Sequence, residues 1–143
     1  MIGYLDTSVV VPLLVAEDGS AACRRFWDDA DDVATCRTTF VETAAALAAA
    51  YRADRLGRRA HEQSLALLER MWSEIDVIGL DDALVRRAAA LADRCALRGY
   101  DAVHCAAAEQ LADPDLVAAS GDARLLAAWS GLGIATFDPN VRP

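Results

Sequence analysis

The chain has 143 residues, of which 55% are hydrophobic, and its formal net charge is −8 at neutral pH. These values fit a compact α/β domain rather than a disordered chain, and the acidity argues against a broad basic surface for gripping nucleic acid. All 14 basic residues are arginines, so a P-loop lysine and lysine Schiff-base chemistry are excluded.

No apolar run approaches the roughly 20 residues that a membrane helix needs, and the N-terminus lacks a signal-peptide pattern. We therefore expect a cytoplasmic protein with no membrane segment, folded as a single domain over residues 1–143. The four cysteines are scattered without a C-x-x-C pair, which predicts reduced thiols and argues against a zinc site. They are Cys23, Cys36, Cys95 and Cys105.

The first predicted element is a short buried strand that ends at Asp6, and its apolar character is typical of a central strand in a parallel sheet. Helices and strands then alternate along the chain. Ser20 is a candidate N-cap for the second helix, and Asp81 or Asp82 for the fifth. The predicted helices cover residues 8–17, 20–29, 40–55, 58–75, 82–96, 101–112 and 122–129, and the later strands 33–36, 76–80, 116–119 and 133–136.

This alternation predicts a parallel sheet covered by helices on both faces. The helices over 40–55 and 58–75 form a helical hairpin, whose side with Leu68 and Trp72 is a candidate surface for a partner.

Four acids follow from this arrangement as a candidate site. Asp6 ends the first strand, Asp122 follows the fourth strand, and Glu42 and Asp101 lie near helix starts. Strand carboxyl ends and the helix starts that follow them share one edge of a parallel sheet, so the four can meet in one crevice.

Each acid except Asp6 has a structural alternative. Asp101 and Asp122 could be helix N-caps, and Glu42 could complete a capping box with Thr39. If the four acids do converge, each pair of charges about 4 Å apart repels by about 4 kcal/mol at an effective dielectric near 20. Such a cluster needs a cation, and carboxylate oxygens without a histidine or cysteine cluster suit Mg²⁺ or Mn²⁺ and phosphoryl chemistry.

The segments around the four acids resemble the four motifs of PIN-domain ribonucleases, most of all the VapC-type toxins of type II toxin–antitoxin pairs. Order, spacing and length match over nearly the whole chain. The segments are Leu5-Asp6-Thr7-Ser8, Thr39-Phe40-Val41-Glu42, Tyr100-Asp101-Ala102-Val103-His104-Cys105-Ala106-Ala107-Ala108 and Ser120-Gly121-Asp122-Ala123-Arg124-Leu125-Leu126.

This resemblance implies a three-layer α/β/α sandwich with a central parallel sheet of four to five strands and a protruding helical hairpin. It also implies a Mg²⁺- or Mn²⁺-dependent endoribonuclease that cleaves RNA with a metal-activated water, a homodimer, and inhibition by a cognate antitoxin. By motif, Asp6, Glu42, Asp101 and Asp122 are the catalytic, metal-binding acids, with Ser8, Thr7 and Ser120 as supporting hydroxyls. Gly99-Tyr100 departs from the small or polar residues usual before the third acid.

Other polar residues have open roles. Arg37 precedes the helix of Glu42 and is a candidate contact for RNA phosphate or for an acid of the site. A local basic cluster at the hairpin tip is expected either to contact the RNA backbone or to be solvated; it consists of Arg52, Arg55, Arg58 and Arg59. His104 is expected to pack near the site with a hydrogen bond to an acid or to backbone, with a role as metal ligand or base as the alternative. His61 is expected to be solvated.

Two rival functions remain. Phosphoaspartyl chemistry at Asp6 lacks the D-x-D pattern and the lysine that such sites use. A catalytically silent PIN-fold module that binds RNA or protein is disfavoured because all four acids are present.

Overall fold

The computed structural model describes residues 1–142; Pro143, the last residue of the predicted domain, lies outside the described residues. Within residues 1–142 the chain forms five strands and seven helices. In chain order they are β1 (Ile2–Leu5), α1 (Thr7–Leu14), α2 (Ser20–Asp29), β2 (Asp32–Cys36), α3 (Thr39–Arg52), α4 (Arg58–Trp72), β3 (Asp76–Ile78), α5 (Asp82–Cys95), α6 (Gly99–Leu111), β4 (Leu116–Ala119), α7 (Ala123–Gly131) and β5 (Ala135–Phe137).

The strands form one parallel sheet in the order β3-β2-β1-β4-β5. The prediction that β1 is central is therefore confirmed, as are the parallel sheet and the α3–α4 hairpin. The chain builds outward from β1 through β2 and β3, then returns to the other side of β1 for β4 and β5. This reversal of direction lies between β1 and β4, where open α/β sheets form a crevice at the strand ends.

Successive strand residues point to opposite sides of the sheet. Because apolar residues lie on both sides, helices cover both faces. Tyr4 packs into one core layer with α5, α6 and α7, around the buried Trp129. Leu5, the next residue, packs into the other layer with α1, α2 and α4, which includes Phe26 and Leu68. The three-layer sandwich follows from this alternation.

Several local predictions were wrong in detail. Ser20 does not cap α2; it is the first helical residue, and its Oγ accepts from the Glu17 N–H and donates to the Val15 carbonyl. The last strand begins two residues later than predicted, because Gly133 turns the chain with a φ of 81°. Leu68 is fully buried, so it belongs to the core and is not part of a free hairpin surface.

Candidate active site

Four acids from four separate parts of the chain line one cavity of about 380 Å³. The cavity lies at the carboxyl end of β1 and is bounded by α1, α3, α6 and the loop before α7. Its lining residues are Asp6, Thr7, Ser8, Val11, Glu42, Ala46, Arg98, Tyr100, Asp101, His104 and Asp122.

Asp6 is the most enclosed of these acids, with 5% of its surface exposed. Ser8 Oγ donates to its Oδ1 at 2.5 Å, and Ser120 Oγ donates to its Oδ2 at 2.6 Å. Burial raises the pKa of the Asp6 carboxyl, and His104 and the two hydroxyls only partly offset that rise. The carboxylate is thus fixed in orientation and favours a neutralising partner.

The two serines also tie the loops after β1 and β4 together. Each accepts a backbone N–H while it donates to Asp6: Ser8 from Gly121 at 2.8 Å, and Ser120 from Asp122 at 2.9 Å. Asp6 is therefore held by donors that are themselves fixed by the backbone.

Glu42 points into the cavity and does not form the capping box with Thr39. Its Oε2 accepts a hydrogen bond from Thr7 Oγ1 at 3.0 Å. Its other oxygen, Oε1, is buried and has no hydrogen-bond partner in the described residues. Burial would raise the pKa of Glu42, but His104 and Thr7 hold it below its ordinary value.

His104 lies beneath Glu42 with 1% of its surface exposed. Its Nδ1 is 2.8 Å from the buried Tyr4 hydroxyl, and Cys36 Sγ is 3.7 Å away. Its Nε2 is 3.3 Å from Glu42 Oε1, at ion-pair distance but not aligned for a hydrogen bond. Burial alone would lower the pKa of His104, whereas the neighbouring Cys36 and Glu42 raise it.

Ligand atoms of Cys36, Glu42 and His104 lie within 4.8 Å of one another. His104 is packed near the site, as expected, but its hydrogen bond is to the Tyr4 hydroxyl and not to an acid or to backbone. The cluster with Tyr4 was not expected.

Asp101 and Asp122 form the other part of the cavity wall. Asp122 is the N-cap of α7, with Oδ1 accepting from the Arg124 and Leu125 N–H groups at 2.9 and 3.0 Å. Asp101 is not an N-cap, because α6 already begins at Gly99. Burial and the charge of Asp122 raise the pKa of Asp101, although Arg98 partly offsets this.

Arg98 bridges these two acids. Its Nε is 3.5 Å from Asp101 Oδ2 and its Nη2 is 4.0 Å from Asp122 Oδ2, while 65% of its side chain is exposed. Arg98 was not among the site residues predicted from the sequence. Its position three residues before Asp101, one helical turn away, was the available signal.

The predicted RNA-contacting arginines lie elsewhere. Arg37 is exposed at the end of β2, and the hairpin arginines are exposed around its tip, with Arg58 paired to Glu62 at 3.2 Å. Among described residues, the cavity lining does not include Arg37, Arg52, Arg55, Arg58 or Arg59. His61 is not solvated as expected; it is half-buried and stacks on Tyr51 with ring centroids 5.0 Å apart.

The residues at the cavity fit a hard divalent cation. Four carboxylates supply oxygen atoms for a cation, and burial raises the pKa of two of them, Asp6 and Asp101, because it disfavours their charged forms. Glu42 Oε1 has no aligned hydrogen bond among the described residues, but it lies 3.3 Å from His104 Nε2, so a cation there would share it with the imidazole. Such a donor set suits small hard cations rather than thiolate-seeking metals.

Comparison with known proteins gives a consistent result. A family model described as the PIN domain matches residues 3–128. Ribonuclease VapC45 of Mycobacterium tuberculosis is 40% identical over 126 residues, which cover 85% of each chain.

Solved structures share the fold at lower identity. A toxin–antitoxin complex from Klebsiella pneumoniae superposes with a TM-score of 0.68 at 14% identity, covering 98% of this chain and 99% of that chain. VapC20 of Mycobacterium tuberculosis, described as a sarcin–ricin loop cleaving toxin, gives a TM-score of 0.67 at 23% identity and covers 99% of both chains. In the described part of the chain, no helix is long and apolar enough to cross a membrane.

Proposed function

The chain belongs to the PIN-domain family, among its VapC ribonucleases, and on that premise we propose that it is a metal-dependent endoribonuclease acting as the toxin of a toxin–antitoxin pair. The observation that carries this proposal is the convergence of Asp6, Glu42, Asp101 and Asp122 on one cavity. Four acids gathered into one cavity repel one another and cost stability unless a cation neutralises part of their charge.

We propose that Mg²⁺ or Mn²⁺ is the cation, held by these four acids. When bound, the cation supplies Lewis-acid activation of water and neutralises charge on the phosphodiester. The protein's own contribution is orientation. Ser8, Ser120 and Thr7 each donate to a carboxylate oxygen, which keeps Asp6 and Glu42 turned toward the cavity.

Arg98 supports the handling of RNA at the same cavity. A guanidinium can pair with a phosphate in two parallel hydrogen bonds, and this one is exposed at the rim. If Asp101 and Asp122 help to hold the cation, its charge would offset theirs, and the exposed part of the Arg98 guanidinium would be available to a phosphate. The arginines at positions 37, 52, 55, 58 and 59 are further candidates for more distant phosphates, since they are exposed.

The partners follow from the family. RNA is the substrate, consistent with the ribonuclease relatives, and a cognate antitoxin protein is the inhibitor. We further propose that the chain acts as a single domain over residues 1–143, forms a homodimer, and works in the cytoplasm, where its RNA substrate is located.

The test is cleavage of structured RNA by the purified protein with Mn²⁺, with EDTA, and with Asp6→Asn. The control is Asp93→Asn, which neutralises an exposed acid on α5 outside the cavity lining. We expect cleavage only with Mn²⁺, by the wild type and the control. Equal cleavage in EDTA would refute the metal, and binding without any cleavage would favour a silent RNA-binding module.

A further inference from the structure

The three tyrosines of this chain have different surroundings. Tyr4 is fully buried in the core, and Tyr51 is 40% exposed but stacks on His61 with the rings 16° from parallel. Tyr100 is 49% exposed, and it lines the cavity that holds the four acids. An exposed aromatic ring is unremarkable alone; one at the rim of a candidate nuclease site can contact substrate.

The ring of Tyr100 is supported by a side chain that also belongs to the site. The Arg98 guanidinium carbon lies 5.0 Å from the ring centroid, within the range of a cation–π contact. Arg98 is in turn paired with Asp101 and Asp122. The ring is thereby linked to the acids through one guanidinium, which limits the conformations it would otherwise sample.

We propose that Tyr100, backed by Arg98, is a stacking platform for one nucleobase of single-stranded RNA, next to the phosphate that is cleaved. This rests on the proposed endoribonuclease function and names a binding subsite for it. Single-stranded RNA is commonly held by unpaired bases stacked on aromatic rings and on arginine planes.

The charge of the chain favours a stacking contact over a purely ionic one. The net charge is −8, and four acids line the cavity in which the scissile phosphate is proposed to bind. Such a surface repels the RNA backbone wherever a cation does not neutralise it. Stacking depends little on charge and tolerates every base, so it supplies affinity where phosphate contacts are weak.

Steady-state kinetics distinguish this role from a structural one. A cleavage site is first mapped in structured RNA. A short single-stranded oligoribonucleotide that spans this site then serves as the substrate. We expect Tyr100→Leu to raise KM about tenfold, in the range for loss of one base–aromatic stack, with kcat within about twofold. Tyr100→Phe should restore the wild-type KM, and Tyr51→Leu, the exposed tyrosine outside the cavity, should leave both constants unchanged.

Abasic substitutions locate the base. One abasic ribonucleotide beside the cleaved phosphate should weaken the wild type as much as Tyr100→Leu does, and should cause no further loss in that variant. Losses that multiply at every flanking position would overturn the platform, as would an unchanged KM for Tyr100→Leu.

A binding arm separates this proposal from the activity itself. Fluorescence anisotropy of a fluorescein-labelled, mixed-sequence 12-nucleotide RNA, with Ca²⁺ in place of Mn²⁺, should rank the variants in the same order. Absence of cleavage by the wild type would refute the proposed nuclease activity, and the anisotropy measurement would still test whether Tyr100 binds a base. Equal binding by wild type and Tyr100→Leu, or none by either, would refute the platform.

Discussion

Two pairs of acids face the same cavity but are held by different means. Asp6 and Glu42 are oriented by uncharged hydroxyls, and Glu42 also lies against the buried His104, so groups of the core restrain both carboxylates. Asp101 and Asp122 share Arg98, an exposed side chain on the turn before α6. The first pair, the core-held pair, can move only if the sheet and its loops move. The second, the arginine-held pair, can change partner by a rotation of one side chain.

This difference suggests a division of labour. If the acids hold a cation as proposed, the core-held pair would define where it is placed, and the arginine-held pair could exchange its ion pair with Arg98 for contacts to the cation. The predictions below test whether the two pairs are unequal in this sense.

The largest expected effect is on catalysis. We expect Asp6→Asn to reduce kcat about a thousandfold, which corresponds to about 4 kcal/mol of transition-state stabilisation. Asp122→Asn should cost about ten- to a hundredfold, because its Oδ1 already serves as a helix cap and asparagine can keep that role. Single-turnover RNA cleavage with saturating Mn²⁺ measures both losses. Equal losses would show that the two pairs of acids do not differ in their contribution to catalysis.

Ser120→Ala tests how firmly the core holds Asp6. The substitution removes the hydroxyl that donates to the buried Asp6 carboxylate and that accepts the Asp122 N–H. Leaving such buried groups unpaired should lower the free energy of unfolding by about 1–3 kcal/mol, measured by urea denaturation. Ser73→Ala, whose hydroxyl bonds a backbone carbonyl at an exposed helix end, should cost far less; similar costs would mean that the core does not specially restrain Asp6.

The pH dependence of cation binding tests a property that the two pairs share. Because the pKa values of Asp6 and Asp101 are raised, both carboxyls retain protons at a higher pH than ordinary aspartates. A cation must displace those protons, so Mn²⁺ affinity should fall as pH is lowered through the raised pKa values, by up to about tenfold per unit for each proton displaced. Calorimetric titration over a descending pH series measures this fall, and an affinity that begins to fall only where ordinary aspartates are protonated would contradict the raised pKa values as a feature of the cation site.

The smallest expected effect is a gain in stability. A raised pKa in the folded state means that Asp101 contributes stability when protonated and loses it as pH rises, so its charge is unfavourable at pH 7. Asp101→Asn should therefore raise the unfolding free energy of the metal-free protein, by less than about 1 kcal/mol because Arg98 already compensates part of the charge. Thermal melts in EDTA test this; an unchanged or lower melting temperature would contradict a repulsive cluster. With excess Mn²⁺ the order should reverse, since the wild type gains more from binding.

Much of the fold followed from the sequence because its signals are local. The buried apolar strand before Asp6, the alternation of elements and the acids at their ends were enough to predict a parallel sheet with its crevice at β1. Element boundaries were predicted less accurately. The strand β5 begins later than its apolar pattern indicates, because Gly133 at the start of that pattern forms a turn.

The partners of the acids were harder to predict. Tyr4 and His104 are 100 residues apart in sequence and meet only because β1 and α6 pack in the same layer. Arg98 looks like any surface arginine until the helix start places it between two carboxylates. Side-chain direction at such contacts is set by tertiary packing, which periodicity alone does not specify.

The hydrogen bond from Ser120 to Asp6 also constrains when the protein can become active. The two residues are 114 positions apart. The segment around Asp6, which leaves the ribosome first, is therefore completed by a residue that is made near the end of synthesis. At a synthesis rate of about 5–20 residues per second, the N-terminal part of the chain waits several seconds beside the ribosome before β4 can pair with β1. During that interval no complete site exists, so a toxic activity that depends on it begins only once nearly the whole chain has been made.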